Sequence, residues 1–410
     1  MLFLFAGGVG LIAYVFAGYP AIAAALARLR PRPVRADAGF RPDVSLIVVA
    51  YNERDVIARK LANCAALDYP DDRLELVVIT DGSDDGTDEV ARAVPGVRVL
   101  HQPQRAGKLA AMNRAAQFAR GDVLVFSDAN NLYTPAALRE LVAPFADASV
   151  GIATGRKAID DGSGRPLDVA EGLYWRYESK LKEWEGATGS VTAVAGEILA
   201  FRRSAFRSPA AGTMNEDFVQ AMLVAADGWR VAYVPQALSL EPASATIADE
   251  AVRRSRLVTG RWQALRALLP ALLRRNPRLF WQVVSHKGLR PLVPAALVAV
   301  AVSNAALARR RRWARGVAGA QLGFYALAVL GGRRERHGKR SRLLYVPYWF
   351  CRMNLATLAG FRDYVAGSRQ AVWAKVARYD GARHDDSARP FASSHLSTST
   401  SRPPVSRGAT

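Results

Sequence analysis

The chain has 410 residues, 56 Lys+Arg against 36 Asp+Glu, a formal charge of +20 and two cysteines. Cys64 and Cys351 make no disulfide framework and match no zinc spacing, which excludes a stapled secreted module and a zinc finger. The charge first points to nucleic acid or anionic lipid, and its placement decides between them. Residues 241–410 hold 30 basic and 8 acidic side chains, whereas residues 1–240 hold 26 and 28. A nucleic-acid domain carries such charge on a polar surface. Here basic clusters punctuate apolar runs, so the expected partner is membrane lipid and not nucleic acid.

Residues 1–27 contain no charged side chain, which meets the roughly 20 residues needed to cross a bilayer. No basic region precedes this run. Arg28, Arg30, Arg32 and Arg35 follow it, so it reads as an N-terminal transmembrane anchor rather than a signal peptide. The positive-inside tendency places residue 28 onward in the cytoplasm.

Residues 40–245 alternate strands and helices. Val44–Ala50 is a continuous apolar strand of the kind buried in a parallel sheet. A helix over 53–66, a strand Leu74–Thr80, a helix from Thr87, a strand Val97–His101, a helix Lys108–Ala119 and a strand Asp122–Ser127 follow. Such alternation predicts an α/β domain with a doubly wound sheet, whose ligands sit beyond the carboxyl ends of the strands. Those ends are Tyr51-Asn52-Glu53, Asp81-Gly82-Ser83-Asp84-Asp85 and Asp128-Ala129-Asn130-Asn131. Each alone reads as an ordinary turn or helix cap. Three in succession describe a cleft for a nucleotide and a divalent cation. Neither a dinucleotide fingerprint nor a Walker loop follows the first strand, which argues against a dehydrogenase and an ordinary ATPase.

In this order the segments resemble the inverting family 2 glycosyltransferases. The resemblance rests on Val44–Glu53, Asp81–Thr87, Gly107-Lys108 with Asn113, Phe126–Asn130, Asn215-Glu216-Asp217 and Gly260-Arg261-Trp262. It implies a GT-A-type, Rossmann-like nucleotide-sugar domain with N- and C-terminal transmembrane helices. It also implies roles. Ala50, Tyr51 and Glu53 contact the nucleoside, and Asp81 binds the base, commonly uracil, so a UDP-sugar donor is favoured. Lys108 lies near the nucleotide. Asp128 contacts ribose, diphosphate or metal, with Asn130 as the second metal position for Mg²⁺ or Mn²⁺. Asp217 is the catalytic base with Glu216 beside it, and Arg261 pairs with the diphosphate. Trp262 and Gly196, which precedes Glu197, lie on the acceptor side. Two departures stand out. Asn130 replaces the second acid of Asp-x-Asp and is a weaker ligand than a carboxylate. Val258 replaces the Gln of the processive synthases' Gln-x-x-Arg-Trp.

The amphipathic stretch 172–188 carries Tyr174, Trp175, Tyr177 and Trp184, read as packing residues rather than sugar platforms. Residues 246–287 are basic and amphipathic, as expected of interfacial helices. Within 288–361, the runs 291–308 and 316–332 are uncharged, and 343–361 carries only Arg352. These read as C-terminal membrane segments, with 343–361 either crossing or lying at the interface. His286 shows no metal-ligand spacing and reads as structural. The tail 382–410, rich in Ser, Thr, Pro and Arg, reads as disordered.

The resulting expectation is a multi-pass inner-membrane glycosyltransferase with a cytoplasmic catalytic domain, moving a sugar from a nucleotide donor to a polysaccharide or glycolipid. A single-addition lipid-linked transferase and a non-catalytic nucleotide-sugar- or lipid-binding relative are the alternatives.

Overall fold

Strand β1 (Val44–Ala50) runs through the middle of an eight-stranded sheet of order β3-β2-β1-β4-β7-β6-β8-β5. The other strands are β2 (Leu74–Asp81), β3 (Val97–Gln102), β4 (Val123–Asp128), β5 (Leu132–Tyr133), β6 (Val150–Asp160), β7 (Leu199–Arg202) and β8 (Arg230–Pro242). The computed structural model describes residues 1–160, 166–242, 246–337 and 342–367. The expected tail, 382–410, lies outside the described residues.

Strands β1 to β4 are mutually parallel, as their apolar runs require. β7 enters antiparallel between β4 and β6, and β8 returns parallel to β6. Because β1 is covered on both faces, its alternate residues feed two cores. Leu46 and Val48 pack with Ile57, Leu61 and Leu138. Ile47 packs on the other side with Met112, Phe126 and Met222.

Helix Ile247–Arg275 begins with a reciprocal capping box between Thr246 and Asp249. Much of its apolar face turns into the protein. Ala264, Leu265, Leu268 and Leu272, with Leu279 and Val283 beyond, are buried in the second core against Phe218, Val219 and Met222. The interfacial reading of 246–287 draws on the same stripe, because a stripe at helical spacing looks alike facing lipid or a protein core.

Among the described residues two helices are long and apolar enough to cross a membrane, Leu2–Leu29 and Pro277–Ala308. The second starts well before the expected 291 and includes the buried polar turn Ser285-His286-Lys287. The two helices touch closely. A Cβ on Gly8 would stand 2.6 Å from Val300 Cγ2, and the Tyr14 and Ser285 hydroxyls are 2.8 Å apart. The Tyr19 hydroxyl donates to Glu185 Oε1 at 2.5 Å, which ties the N-terminal helix to helix Pro166–Ala187. His286 completes this knot, with Nδ1 2.7 Å from Glu185 Oε1 and Nε2 3.2 Å from Glu178 Oε2. Its role there is structural, as its sequence context implies.

Helix Arg342–Val365 lies along helix Ile247–Arg275. A Cβ on Gly360 would fall 2.4 Å from Ser255 O and 2.8 Å from Val258 Cβ, and Thr259 Oγ1 donates to Gly360 O at 2.9 Å. No side chain fits at Gly360 without parting the helices. Gly360→Leu is therefore expected to destabilise the detergent-solubilised protein by about 1–3 kcal/mol through overpacking, read as a lowered Tm.

Candidate active site

The carboxyl ends of β1, β2 and β4 and the start of helix Glu216–Ala226 converge on one side of the sheet. The two loops after β1 and β2 are laced together. Asn52 and Asp84 exchange hydrogen bonds, Nδ2 to Oδ1 at 2.8 Å and backbone N to Asn52 Oδ1 at 3.1 Å. Asp85 accepts from the backbone of Arg54 at 3.1 Å and of Thr87 at 3.0 Å, so one carboxylate caps the starts of two helices. The backbone N–H of Glu53 donates to Thr87 Oγ1 at 2.9 Å. These contacts fulfil the ordinary turn-and-cap reading for Asn52, Asp84 and Asp85.

Asp81 has a structural task of its own. Its Oδ1 accepts from Ala106 N at 2.9 Å and its Oδ2 from Gly107 N at 2.7 Å. Both carboxylate oxygens thus hold the loop that launches helix Lys108–Phe118. The loop also presses on Gly82, whose φ is +72° and whose Cβ would lie 2.7 Å from Arg105 N; only glycine fits there. From this loop the Arg105 guanidinium stacks 3.6 Å over the ring of Tyr51. Tyr51, just past the buried Ala50 that ends β1, therefore faces a cation where the nucleoside was expected.

Lys108 Nζ donates to Asp128 Oδ1 at 2.6 Å. Burial alone pulls the Lys108 ammonium down, but Asp128, Glu216 and Asp217 hold it above its ordinary value. Beside Asp128, the amide oxygen of Asn130 is buried and meets no hydrogen-bond partner among the described residues. A buried carbonyl without a donor is costly, and a hard cation satisfies one. Among the described residues no group of three or more His, Cys, Asp or Glu forms a metal cage. Asp128 and Asn130 therefore suit an ion that takes its remaining ligands from a donor's phosphates.

Asn131, buried next door, accepts from Lys60 Nζ through its backbone oxygen at 2.9 Å and donates to Glu197 O at 3.1 Å and Ser239 Oγ at 2.6 Å. Through it the Asp128–Asn130 turn is fixed to the Gly196-Glu197 segment. Burial pushes the Lys60 ammonium down to about 8. Sequence reasoning missed Lys60, although it stands among Ile57, Leu61 and Cys64 on the buried face of its helix.

The pair Glu216-Asp217 begins helix Glu216–Ala226, entered through Asn215 at φ +55°. Asn215 Nδ2 donates to Leu257 O at 2.8 Å, which anchors this unusual turn to helix Ile247–Arg275. The two acids diverge. Glu216 lines a pocket with Lys108 and Asn113, whereas Asp217 lines a cavity of about 150 Å³ with Gly196, Glu197, Tyr174, Trp175 and Arg261. A Cβ on Gly196 would stand 3.1 Å from Asp217 Oδ2, so this glycine makes room for the carboxylate. Burial, the neighbouring Glu216 and Glu197 push the Asp217 carboxyl up to about 7, against the opposing pull of Lys108 and the Phe218 amide.

The structure splits the aromatic helix. Tyr174 and Trp175 pack edge to face at 5.4 Å and line the cavity, whereas Trp184 packs with Tyr19 and Trp281. Trp262 moves the other way. Its ring lies 5.4 Å from Phe361 and stacks 6.2 Å from Tyr364, on the helix face directed at helix Arg342–Val365, and it does not line the cavity. One step of about 100° along a helix separates it from Arg261, which does.

The fold and the site together define a nucleotide-sugar enzyme of GT-A type: a mixed sheet with an acidic strand edge, a carboxylate–carboxamide turn, and a perturbed acid at the mouth of a second cavity. Residues 45–208 match the family described as Glycosyl transferase family 2, and the chain carries a family 2 glycosyltransferase domain. Similar curated proteins include a Beta-monoglucosyldiacylglycerol synthase of Synechocystis sp., 28% identical over 43% of this chain and 38% of the relative. A Poly-beta-1,6-N-acetyl-D-glucosamine synthase of Staphylococcus aureus is 25% identical over 50% of this chain and 53% of the relative. The chain thus spans about half or less of the length of these relatives. The structure of the mannosyltransferase PcManGT from Pyrobaculum calidifontis, in complex with GDP-Man and Mn²⁺, superposes with a TM-score of 0.68. It is 25% identical, covering 89% of this chain and 99% of that one.

Proposed function

We propose that this chain is a membrane-anchored inverting glycosyltransferase of the cytoplasmic face of the inner membrane. It moves a sugar from a nucleoside diphosphate to a hydroxyl of a glycolipid or polysaccharide acceptor. The observation that carries the reading is Asp217: a carboxyl held near neutrality, at the junction between the donor edge of the sheet and a separate cavity. A base with that affinity suits removal of a hydroxyl proton as the hydroxyl attacks.

In this reading the donor's base docks beside the Tyr51–Arg105 stack. The diphosphate lies against Asp128, Asn130 and Lys108, and the acceptor occupies the cavity of Tyr174 and Trp175. A bound Mg²⁺ or Mn²⁺ would supply positive charge to the departing diphosphate. Lys108 carries a fixed positive charge to the same place. Asp217 takes the acceptor's proton, and a single displacement inverts the anomeric carbon. A UDP-sugar is the first donor to test, with a GDP-sugar as comparator. Helices Leu2–Leu29 and Pro277–Ala308 support membrane anchoring by length and composition. Val258 is buried against helix Arg342–Val365 and also lines the cavity. An apolar side chain there offers no hydrogen bond to a growing polymer, which favours single addition.

The test is transfer of radiolabelled sugar to lipid extracts, with products sized by chromatography. A single labelled product supports one addition, a ladder supports a polymerase, and no transfer from any nucleotide sugar overturns the reading. Asn130→Asp provides the metal test. Restoring the second carboxylate is expected to lower the Mn²⁺ concentration needed for half-maximal nucleotide binding several-fold, as measured by calorimetry.

A further inference from the structure

The cavity at Asp217 contains more positive charge than its own acids engage. Glu178 is taken by Arg290 and by Lys287, the latter at 3.3 Å. Glu250 lies 3.4 Å from Arg253, and Glu197 lies 3.8 Å from Lys157. Three further cations line the same cavity, Lys182, Arg254 and Arg261, and among the described residues none of them has a hydrogen-bonded carboxylate.

Lys182 is 3% exposed and lies 4.2 Å over the Tyr233 ring. Arg254 is 5.2 Å over the Tyr174 ring, and its buried Nε has no acceptor among the described residues. Burial pushes the Lys182 ammonium down to about 8. Glu178, Glu197 and Glu185 oppose that shift at Lys182; burial also lowers Arg261, with Arg254 and Arg290 adding repulsion and Tyr174 and Glu178 opposing. Desolvated like charges held together this way are unfavourable until an anion sits among them.

We propose that these three side chains form an anion subsite for a phosphate group carried by the acceptor. The donor has its counter-charges elsewhere, at Lys108 and the Asp128–Asn130 turn, and neither Lys108, Asp128 nor Asn130 lines this cavity. The subsite's own walls come from the acceptor side: Gly196, the aromatic pair Tyr174 and Trp175, and Trp349. Lys287 reaches it from apolar helix Pro277–Ala308. The subsite thus joins the base to the part of the fold that a lipid would approach. Arginine's planar fork suits phosphate oxygens, and the aromatic rings suit a sugar or glycerol body. This deepens the proposed transfer at Asp217 and rests on it for the word acceptor.

The test uses direct binding to the full chain in detergent, with dihexanoylphosphatidylglycerol, dihexanoylglycerol and glycerol 3-phosphate as probes below micelle formation. The phosphate-bearing lipid is expected to bind at least about tenfold tighter than the neutral one, a gain of roughly 1.4 kcal/mol. Lys182→Met and Arg254→Gln are each expected to remove most of that preference, while binding of UDP and GDP with Mn²⁺ changes less than about twofold. Retained nucleotide binding also shows that the variants fold. Equal affinity for the two lipids overturns the proposal. So does a loss of nucleotide affinity with the lipid preference intact, which assigns the cations to the donor's diphosphate. Glycerol 3-phosphate that competes as well as the lipid supports the phosphate subsite with a soluble acceptor; weak competition supports a lipid-borne phosphate. The assay needs no turnover, so a failed base assignment at Asp217 and a failed anion subsite give different results.

Discussion

Replacement of Asp217 by Asn is expected to lower sugar transfer by about 10²–10⁴-fold while nucleotide binding stays near wild type. The amide keeps the shape beside Gly196, where only 3.1 Å separates a hypothetical Cβ from Oδ2, but it cannot accept the acceptor's proton. The wild-type pH profile carries a second signature. With the carboxyl pushed up to about 7, chiefly by burial and then by Glu216, the working form is the ionised one. The transfer rate is expected to rise with pH through about 7 and then level. Stability moves the opposite way. A carboxyl whose folded affinity for protons exceeds its unfolded affinity stabilises the protonated fold. Stability therefore falls as pH rises from about 4, the ordinary Asp value, through 7. Asp217→Asn removes that penalty, so the variant is expected to melt a few degrees above wild type at pH 8 and close to it at pH 4. Inactivity with a raised melting point separates loss of a base from loss of the fold. Transfer at the wild-type rate would move the base to another group.

Much of this arrangement was legible in the sequence. The first four strands fall within a residue or so of their expected bounds, because continuous apolar runs bounded by polar turns leave few alternatives in a parallel sheet. The carboxylate–carboxamide turn at Asp128–Asn130, the Lys108 helix and Asp217 all come to the functional side of the sheet, as the order of motifs implied. What was not legible depends on which face of a helix meets what. Residues 246–287 have the same periodic stripe whether they bury Leu265 and Leu268 in a protein core or lie on lipid. Trp262 and Arg261 are adjacent in sequence yet face different neighbours. Lys60 is a different case: a lysine in the middle of an apolar stripe was visible, and its partner Asn131 supplied the reason only once the fold joined them. Lys182 and Arg254 were likewise hidden among many basic residues, and only enclosure distinguishes them from solvated charges.

The charge excess that opened the sequence reading divides accordingly. Part of it decorates exposed helix faces, as at Arg266, Arg274 and Arg275. Another part, Arg261 with Arg254, has turned inward to the site. Net charge alone reports neither the division nor its chemistry.

Asp81→Ala is expected to be the second severe variant, for a reason different from base recognition. The wild-type carboxylate receives the N–H groups of Ala106 and Gly107 at 2.9 and 2.7 Å. Hydrogen bonds to a charged group contribute about 1.5–3 kcal/mol each, so losing both loosens the loop 103–107 that carries Arg105 and starts the Lys108 helix. Two contacts then drift together: the Arg105 stack on Tyr51 and the Lys108 bond to Asp128. The expected outcome is nucleotide affinity lowered by about tenfold or more, with UDP and GDP affected alike, and a lower Tm. Asp81→Asn, which keeps one acceptor oxygen, should fall between. If Asp81 instead reads the base directly, Asp81→Ala would weaken one nucleotide far more than the other at little cost in Tm. Calorimetric titration of both nucleotides, beside a melting curve, distinguishes a residue that builds the site from one that touches the ligand.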